Sequence, residues 1–147
     1  MKVLIEILAC TVATAGFSII FNVPRQKLLP ISLGGGLIWL IYLLLGQWTQ
    51  SDVIRYIIAC AMLTFYAELM SRKYRCPATL FLVPAIVPLI PGGTLYYAME
   101  AAIQKRWQDF GLLALQALTL AMAIACGILC AMTLVHIYKM RINAKRK

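Results

Sequence analysis

Charge is the scarcest property of this chain. Only 13% of its 147 residues are Asp, Glu, Lys or Arg, while 63% are hydrophobic. That leaves too little polar surface to coat a water-soluble globule. Acidic side chains number five, and there is one histidine. The sequence offers no nucleophile–base pair, phosphate-cradling loop or metal-ligand spacing, so neither catalysis nor a cofactor or metal site is expected. The five cysteines, Cys10, Cys60, Cys76, Cys126 and Cys130, include no CxxC pair. Four lie inside apolar runs and are expected to act as small apolar side chains, without disulfides.

What the chain does have is apolar length. Mean hydropathy is +0.84. The apolar residues fill long runs all the way round instead of marking one face, as expected where lipid is the solvent. The prediction is an all-α, polytopic transmembrane helical bundle, one domain over 1–147 with a basic tail at 139–147. Five segments reach the ~20 residues a crossing needs: 3–21, 28–45, 53–70, 78–103 (interrupted) and 110–138. The fifth is longer than required and is expected to tilt or project. Ile7-Leu8-Ala9-Cys10 faintly resembles a lipoprotein cleavage box. The apolar stretch before it is short and holds Glu6, so a retained first span is expected.

Lys and Arg total 14, giving a formal net charge of +9. They concentrate in short connections and in the tail. With five spans, Arg25, Lys27, Arg72, Lys73 and Arg75 share a side with Lys139, Arg141, Lys145, Arg146 and Lys147. Lys2, Lys105 and Arg106 fall opposite, with Arg55 near that end of the third span. A re-entrant fourth segment would nearly erase this bias. The positive-inside rule therefore favours five spans in a bacterial inner (plasma) membrane, N-terminus outside and C-terminus cytoplasmic. The basic tail has no interleaved aromatics and no reading motif, so nucleic acid is not an expected partner.

The most informative stretch is 76–96, with proline at 77, 84, 88 and 91 followed by Gly92-Gly93. Pro77 suits a helix start. Pro84 and Pro88 each remove an internal hydrogen bond, and Pro91-Gly92-Gly93 is predicted to interrupt the fourth helix. Segment 78–103 would reach roughly 39 Å as continuous helix, which puts the interruption near mid-membrane. Freed backbone groups at that depth must be buried in protein or line a polar cavity. Discontinuous helices of this kind form binding sites in secondary transporters. A half-helix starting near Thr94 would aim free N–H groups at an anion such as a carboxylate. Pro88, Pro91, Gly92, Gly93 and Thr94 are thus candidate substrate-binding residues. A purely structural kink is the competing reading.

Other polar groups carry two readings each. Asn22 could cap the first helix or line an entrance, and it joins the binding candidates. Glu100 follows the interruption by two turns and is the first candidate for proton coupling, although Lys105 or Arg106 could pair with it. Glu68 is the second candidate, although Arg72 at i+4 could hold it. Thr11, Thr14 and Ser18 could face a pathway or bond their own helix carbonyls. His136 lies near the cytoplasmic interface, and Trp39, Trp48 and Trp107 suit packing or interfacial anchoring. Small residues at Gly34–Gly36 and at Ala117, Ala121 and Ala125 argue for close helix contacts within the bundle or with another subunit, a second copy included.

Several of these motifs together resemble the small subunit of the threonine/serine exporter family. They are Phe21-Asn22-Val23-Pro24-Arg25, Gly34-Gly35-Gly36-Leu37-Ile38-Trp39, the 68–75 stretch before Cys76-Pro77-Ala78-Thr79, and above all Val83-Pro84-Ala85-Ile86-Val87-Pro88-Leu89-Ile90-Pro91-Gly92-Gly93. The resemblance implies a five-helix subunit working with a larger membrane partner that has a soluble N-terminal portion and its own hydrophobic bundle. It implies proton-driven export of small carboxylate-bearing metabolites: threonine and serine, or succinate in related two-component systems. The expectation is therefore a secondary-active exporter subunit. A non-transporting scaffold subunit and a channel are the alternatives.

Overall fold

In lipid every backbone N–H and C=O needs a partner inside the protein, so an apolar chain of this kind must form helices. The computed structural model describes residues 2–144, with the side chains of 142–144 excluded. It contains α1 (Lys2–Ile20), α2 (Arg25–Trp48), α3 (Asp52–Tyr74), α4 (Thr79–Ile86), a 3₁₀ turn (Val87–Leu89), α5 (Gly92–Ile103) and α6 (Trp107–Ala144). No strand occurs among the described residues. The bundle is all-α and multi-pass, as expected. α2, α3 and α6 outrun their apolar segments at both ends, because interfacial turns carry polar residues. Arg72 and Lys73 fall inside α3, and Lys139 and Arg141 inside α6. Lys145, Arg146 and Lys147 lie outside the described residues.

The chain reverses at three non-glycine residues in the left-handed region: Asn22 (φ 54°), Arg75 (φ 50°) and Lys105 (φ 59°). At each, the following N–H reaches back to an orphan carbonyl: Val23 to Ser18 (3.0 Å), Cys76 to Ser71 (3.2 Å) and Arg106 to Ala101 (2.9 Å). This is the Schellman ending, and it satisfies carbonyls that would otherwise be stranded at a helix terminus. Asn22 thus serves as the helix terminator.

Helix registry settles the number of crossings. Gly127 of α6 lies against the Ile57 carbonyl of α3, and Lys139 of α6 meets Glu68 of α3. Both numbers rise together, so α3 and α6 run parallel. The chain must therefore return across the bilayer between them, and α4 with α5 form one broken span bent by 50°. A re-entrant loop would leave α6 antiparallel to α3. Four unbroken helices plus this bent pair give five crossings.

Packing divides that span into unequal halves. α4 is enclosed by α1, α2 and α3. Its Phe81 and Ala85, with Leu89 of the 3₁₀ turn, join Ile31, Ile38 and Leu63 in the core. α5 instead packs along α6, burying only Ala98 and Ala101. Elsewhere small residues allow helices to approach closely. A β-carbon at Gly35 would overlap Thr14 of α1, and one at Gly127 would overlap the Ile57 carbonyl. Thr11, Thr14 and Ser18 bond the carbonyls of Ile7, Cys10 and Thr14 at 2.7–2.8 Å. Of their two readings, the structure shows the intrahelical one. Tyr66 ties α3 to α2 through a 2.6 Å bond from its hydroxyl to the Pro30 carbonyl.

Gly127→Val should lower thermal stability in detergent by about 1–3 kcal/mol, the usual cost of overpacking. Gly111→Ala, where an added β-carbon meets nothing within 4 Å, should be neutral or slightly stabilising. Equal effects of the two substitutions on the unfolding midpoint would contradict the α3–α6 contact.

Candidate functional site: the broken span and two flanking carboxylates

The interruption falls at Ile90 and Pro91, slightly before the predicted Pro91–Gly93. Ile90 is extended (φ −63°, ψ 130°) after donating its N–H to Val87 at 3.1 Å. Pro91 adopts φ −74°, ψ 59°, the centre of an inverse γ-turn. The turn is closed by a 2.7 Å bond from the Gly92 N–H to the Ile90 carbonyl. Gly92 and Gly93 do not break the helix. They form the first turn of α5, with φ in the ordinary negative range. The half-helix thus begins two residues earlier than Thr94.

This start leaves particular donors free. The Leu95 N–H returns to Pro91 at 3.1 Å, and no side chain caps α5. The N–H groups of Gly93 and Thr94 have no acceptor within the first turn. They sit at the positive end of the helix dipole. Depth follows from length: the eight residues of α4 and three of the turn rise ~16 Å, about half the ~30 Å hydrocarbon core. Pro91 is buried and Pro88 and Thr94 half-buried, but Gly92 and Gly93 are exposed. A β-carbon on either would meet nothing within 4 Å. The first turn of α5 therefore lies, at its glycines, on the surface of this chain.

The other candidates lie at different levels. Asn22 is exposed in the turn between α1 and α2, at the end that carries most cations. Glu68 is near that same end, its side chain 17% exposed. It holds Arg72 at 3.4 Å, as the i, i+4 spacing predicted, and also Lys139 from α6. His136, Lys139 and Thr64 line a cavity of about 180 Å³ beside it. Lys139 could not be found from sequence, because 71 positions separate it from Glu68. Glu100 lies at the opposite end, bonded by Gln104 at 3.0 Å. The expected pairing with Arg106 does not form, since Arg106 binds Asp109 at 2.9 Å. Glu100, Tyr97, Arg106 and Asp109 line a groove of about 410 Å³ between α5 and α6. The structure thus gathers the Pro88–Thr94 residues and leaves Asn22 and Glu68 toward one end of the bundle and Glu100 toward the other.

The tryptophans separate as well. Trp48 and Trp107 are exposed at the end opposite the cations, where amphipathic rings suit the interface. Trp39 packs inside, stacked on Tyr42 at 5.2 Å.

Because Glu68 is mostly enclosed, its ion pair to Lys139 should matter more than a surface pair. Glu68→Gln should cost about 1–3 kcal/mol by stranding a partly buried cation. Adding Lys139→Gln should restore part of that loss, giving a non-additive cycle. Strict additivity in thermal unfolding would show that the pair is not coupled.

Comparison with known proteins adds three findings. A family model described as "Threonine/Serine exporter, ThrE" matches residues 6–134. An uncharacterised protein of Haemophilus influenzae is 29% identical over 104 residues, covering 71% of this chain and 35% of that protein. The aligned region is thus only about a third of the relative's length. No solved structure matches.

Proposed function

The chain belongs to the threonine/serine exporter family, and on that premise we propose that it is a non-catalytic membrane subunit of a secondary-active, proton-coupled exporter of small carboxylate-bearing metabolites. The observation that carries this reading is the pair of free N–H groups at Gly93 and Thr94, half-way through a broken span. A carboxylate docks there by charge-assisted hydrogen bonds and the helix dipole. The bare glycines let it approach the backbone without steric resistance.

The two halves of the span suit alternating access. α4 is fixed in the core while α5 is carried by α6, so the extended Ile90–Pro91 link is the natural hinge. Glu100 is the better proton carrier. It lies in an open groove with a neutral Gln104 partner, whereas Glu68 is held by two cations. The groove favours amino acids over dicarboxylates. It sets the Glu100 and Asp109 carboxylates beside Arg106, which complements a zwitterion and opposes a dianion. By the distribution of cations, the Arg25, Arg72 and Lys139 end is cytoplasmic in a bacterial inner membrane, with the N-terminus outside. A larger subunit of the same family completes the exporter.

Efflux of threonine, serine and succinate from vesicles holding this chain, its partner, or both tests the proposal. Both together should be required. Full transport by the partner alone would instead establish a scaffold. Gly93→Leu should remove docking interactions worth ~1.5–3 kcal/mol, and so slow efflux roughly 10- to 100-fold at unchanged membrane abundance. Glu100→Gln should abolish the response to an imposed pH gradient at unchanged membrane abundance. A mutant still driven by that gradient would reassign the proton carrier.

A further inference from the structure

α5 presents three different faces. Ala98 and Ala101 are buried against α6. Leu95, Met99 and Ile103, spaced four apart, are 47%, 66% and 80% exposed and suit lipid. Between these faces runs a third line: Gly93, Tyr97 and Glu100, at i, i+4 and i+7 on one side of the helix. It begins at the free donors of the break. It passes the Tyr97 ring, 58% exposed, and ends in the groove that holds Glu100, Arg106 and Asp109.

We propose that this line is one wall of the substrate path from the break to the Trp107 end, and that the opposite wall is a different membrane chain, the one corresponding to the part of the Haemophilus influenzae relative outside the aligned region. Unsatisfied N–H groups, a phenol and a carboxylate cannot line a lipid-facing surface along half the bilayer. Among the described residues α5 packs chiefly on α6, and Gly93 and Tyr97 stay exposed. A second copy is the wrong cover. A two-fold contact about the membrane normal sets the same surface against itself level by level, so the donor level of one copy would face the donor level of the other and the two Glu100 levels would face each other. The covering chain must instead offer acceptors and neutral polar groups. The relative supplies the candidate. The aligned stretch is 35% of it, so each copy of this region is joined there to nearly twice as much additional chain. The substrate part of this inference rests on the exporter reading, whereas the interface part does not.

Photocross-linking in cells producing both chains tests it. The photoreactive residue p-benzoylphenylalanine is placed at Tyr97 on the line, and at Met99 on the lipid face as a control. Adducts are sequenced by mass spectrometry. Position 97 should give several-fold more adduct than position 99, with peptides similar to the unaligned part of the Haemophilus influenzae relative. An adduct to a second copy of this chain, or equal yields at the two positions, would overturn the interface. In the same cells, single cysteines replacing Gly93, Glu100, Leu95 or Met99, in a background without the native thiols, are exposed to a charged membrane-impermeant thiol reagent. Labelling at 93 and 100 but not at 95 and 99 is the expected pattern for a water-filled wall. Absence of labelling at 93 and 100 would overturn the path. If cross-links and labelling appear as expected while threonine and serine efflux is independent of both chains, the exporter reading falls and the interface stands.

Discussion

A backbone amide in hydrocarbon must find a hydrogen-bond partner within protein, and the whole structure follows from that demand. It makes the described residues almost wholly helical. It accounts for the closure of α1, α3 and α5 by reach-back bonds at Asn22, Arg75 and Lys105, even though two of these are bulky residues in a backbone region that favours glycine. It sends the hydroxyls of Thr11, Thr14, Ser18 and Thr64 back to their own helices. The same demand makes the exception informative. Gly93 and Thr94 keep free N–H groups at mid-depth, in a helical turn whose two glycines lie on the surface of the chain.

That exception is supported by an asymmetry of packing. The half-helix before the break is locked among three helices, with Phe81, Ala85 and Leu89 in the core. The half-helix after it leans on α6 alone through two alanines. One half is anchored and the other is free to pivot. Their junction is a proline whose ring fixes φ and which offers no N–H to mend the ladder. Rigid and movable parts thus meet at the point where the donors are exposed. The ion pair between Glu68 and Lys139 lies on the anchored side, holding α3 to α6 near the cationic end.

Legibility from sequence varied with the range of the interaction. The five crossings, the interrupted fourth span and the Glu68–Arg72 pair were all readable, because each depends on composition or on spacing within one helix. The location of the interruption was readable to within two residues. Gly92 and Gly93 looked like the breaking element, but glycine only tolerates a break. The extended Ile90 and the γ-turn at Pro91 create it, and the glycines then resume the helix. Lys139 and the Arg106–Asp109 pairing were not readable. The first depends on a register between distant helices, and the second on the direction in which a short turn aims its side chains. The line through Gly93, Tyr97 and Glu100 carried a usable signal in its i, i+4, i+7 spacing. That signal acquires meaning only once the face buried against α6 is known.

By itself the sequence determined the solvent, the candidate spans and the damaged helix, because hydropathy, proline and glycine act locally and do not depend on which helix lies beside which. Tertiary structure decided three things: that α3 and α6 run parallel, that the fourth segment therefore crosses instead of turning back, and that the glycines at its break lie on the surface of this chain. Those depend on which faces pack together. That choice is made by contacts such as Gly127 against Ile57 and Lys139 against Glu68, whose members stand some seventy positions apart and meet only in the folded bundle.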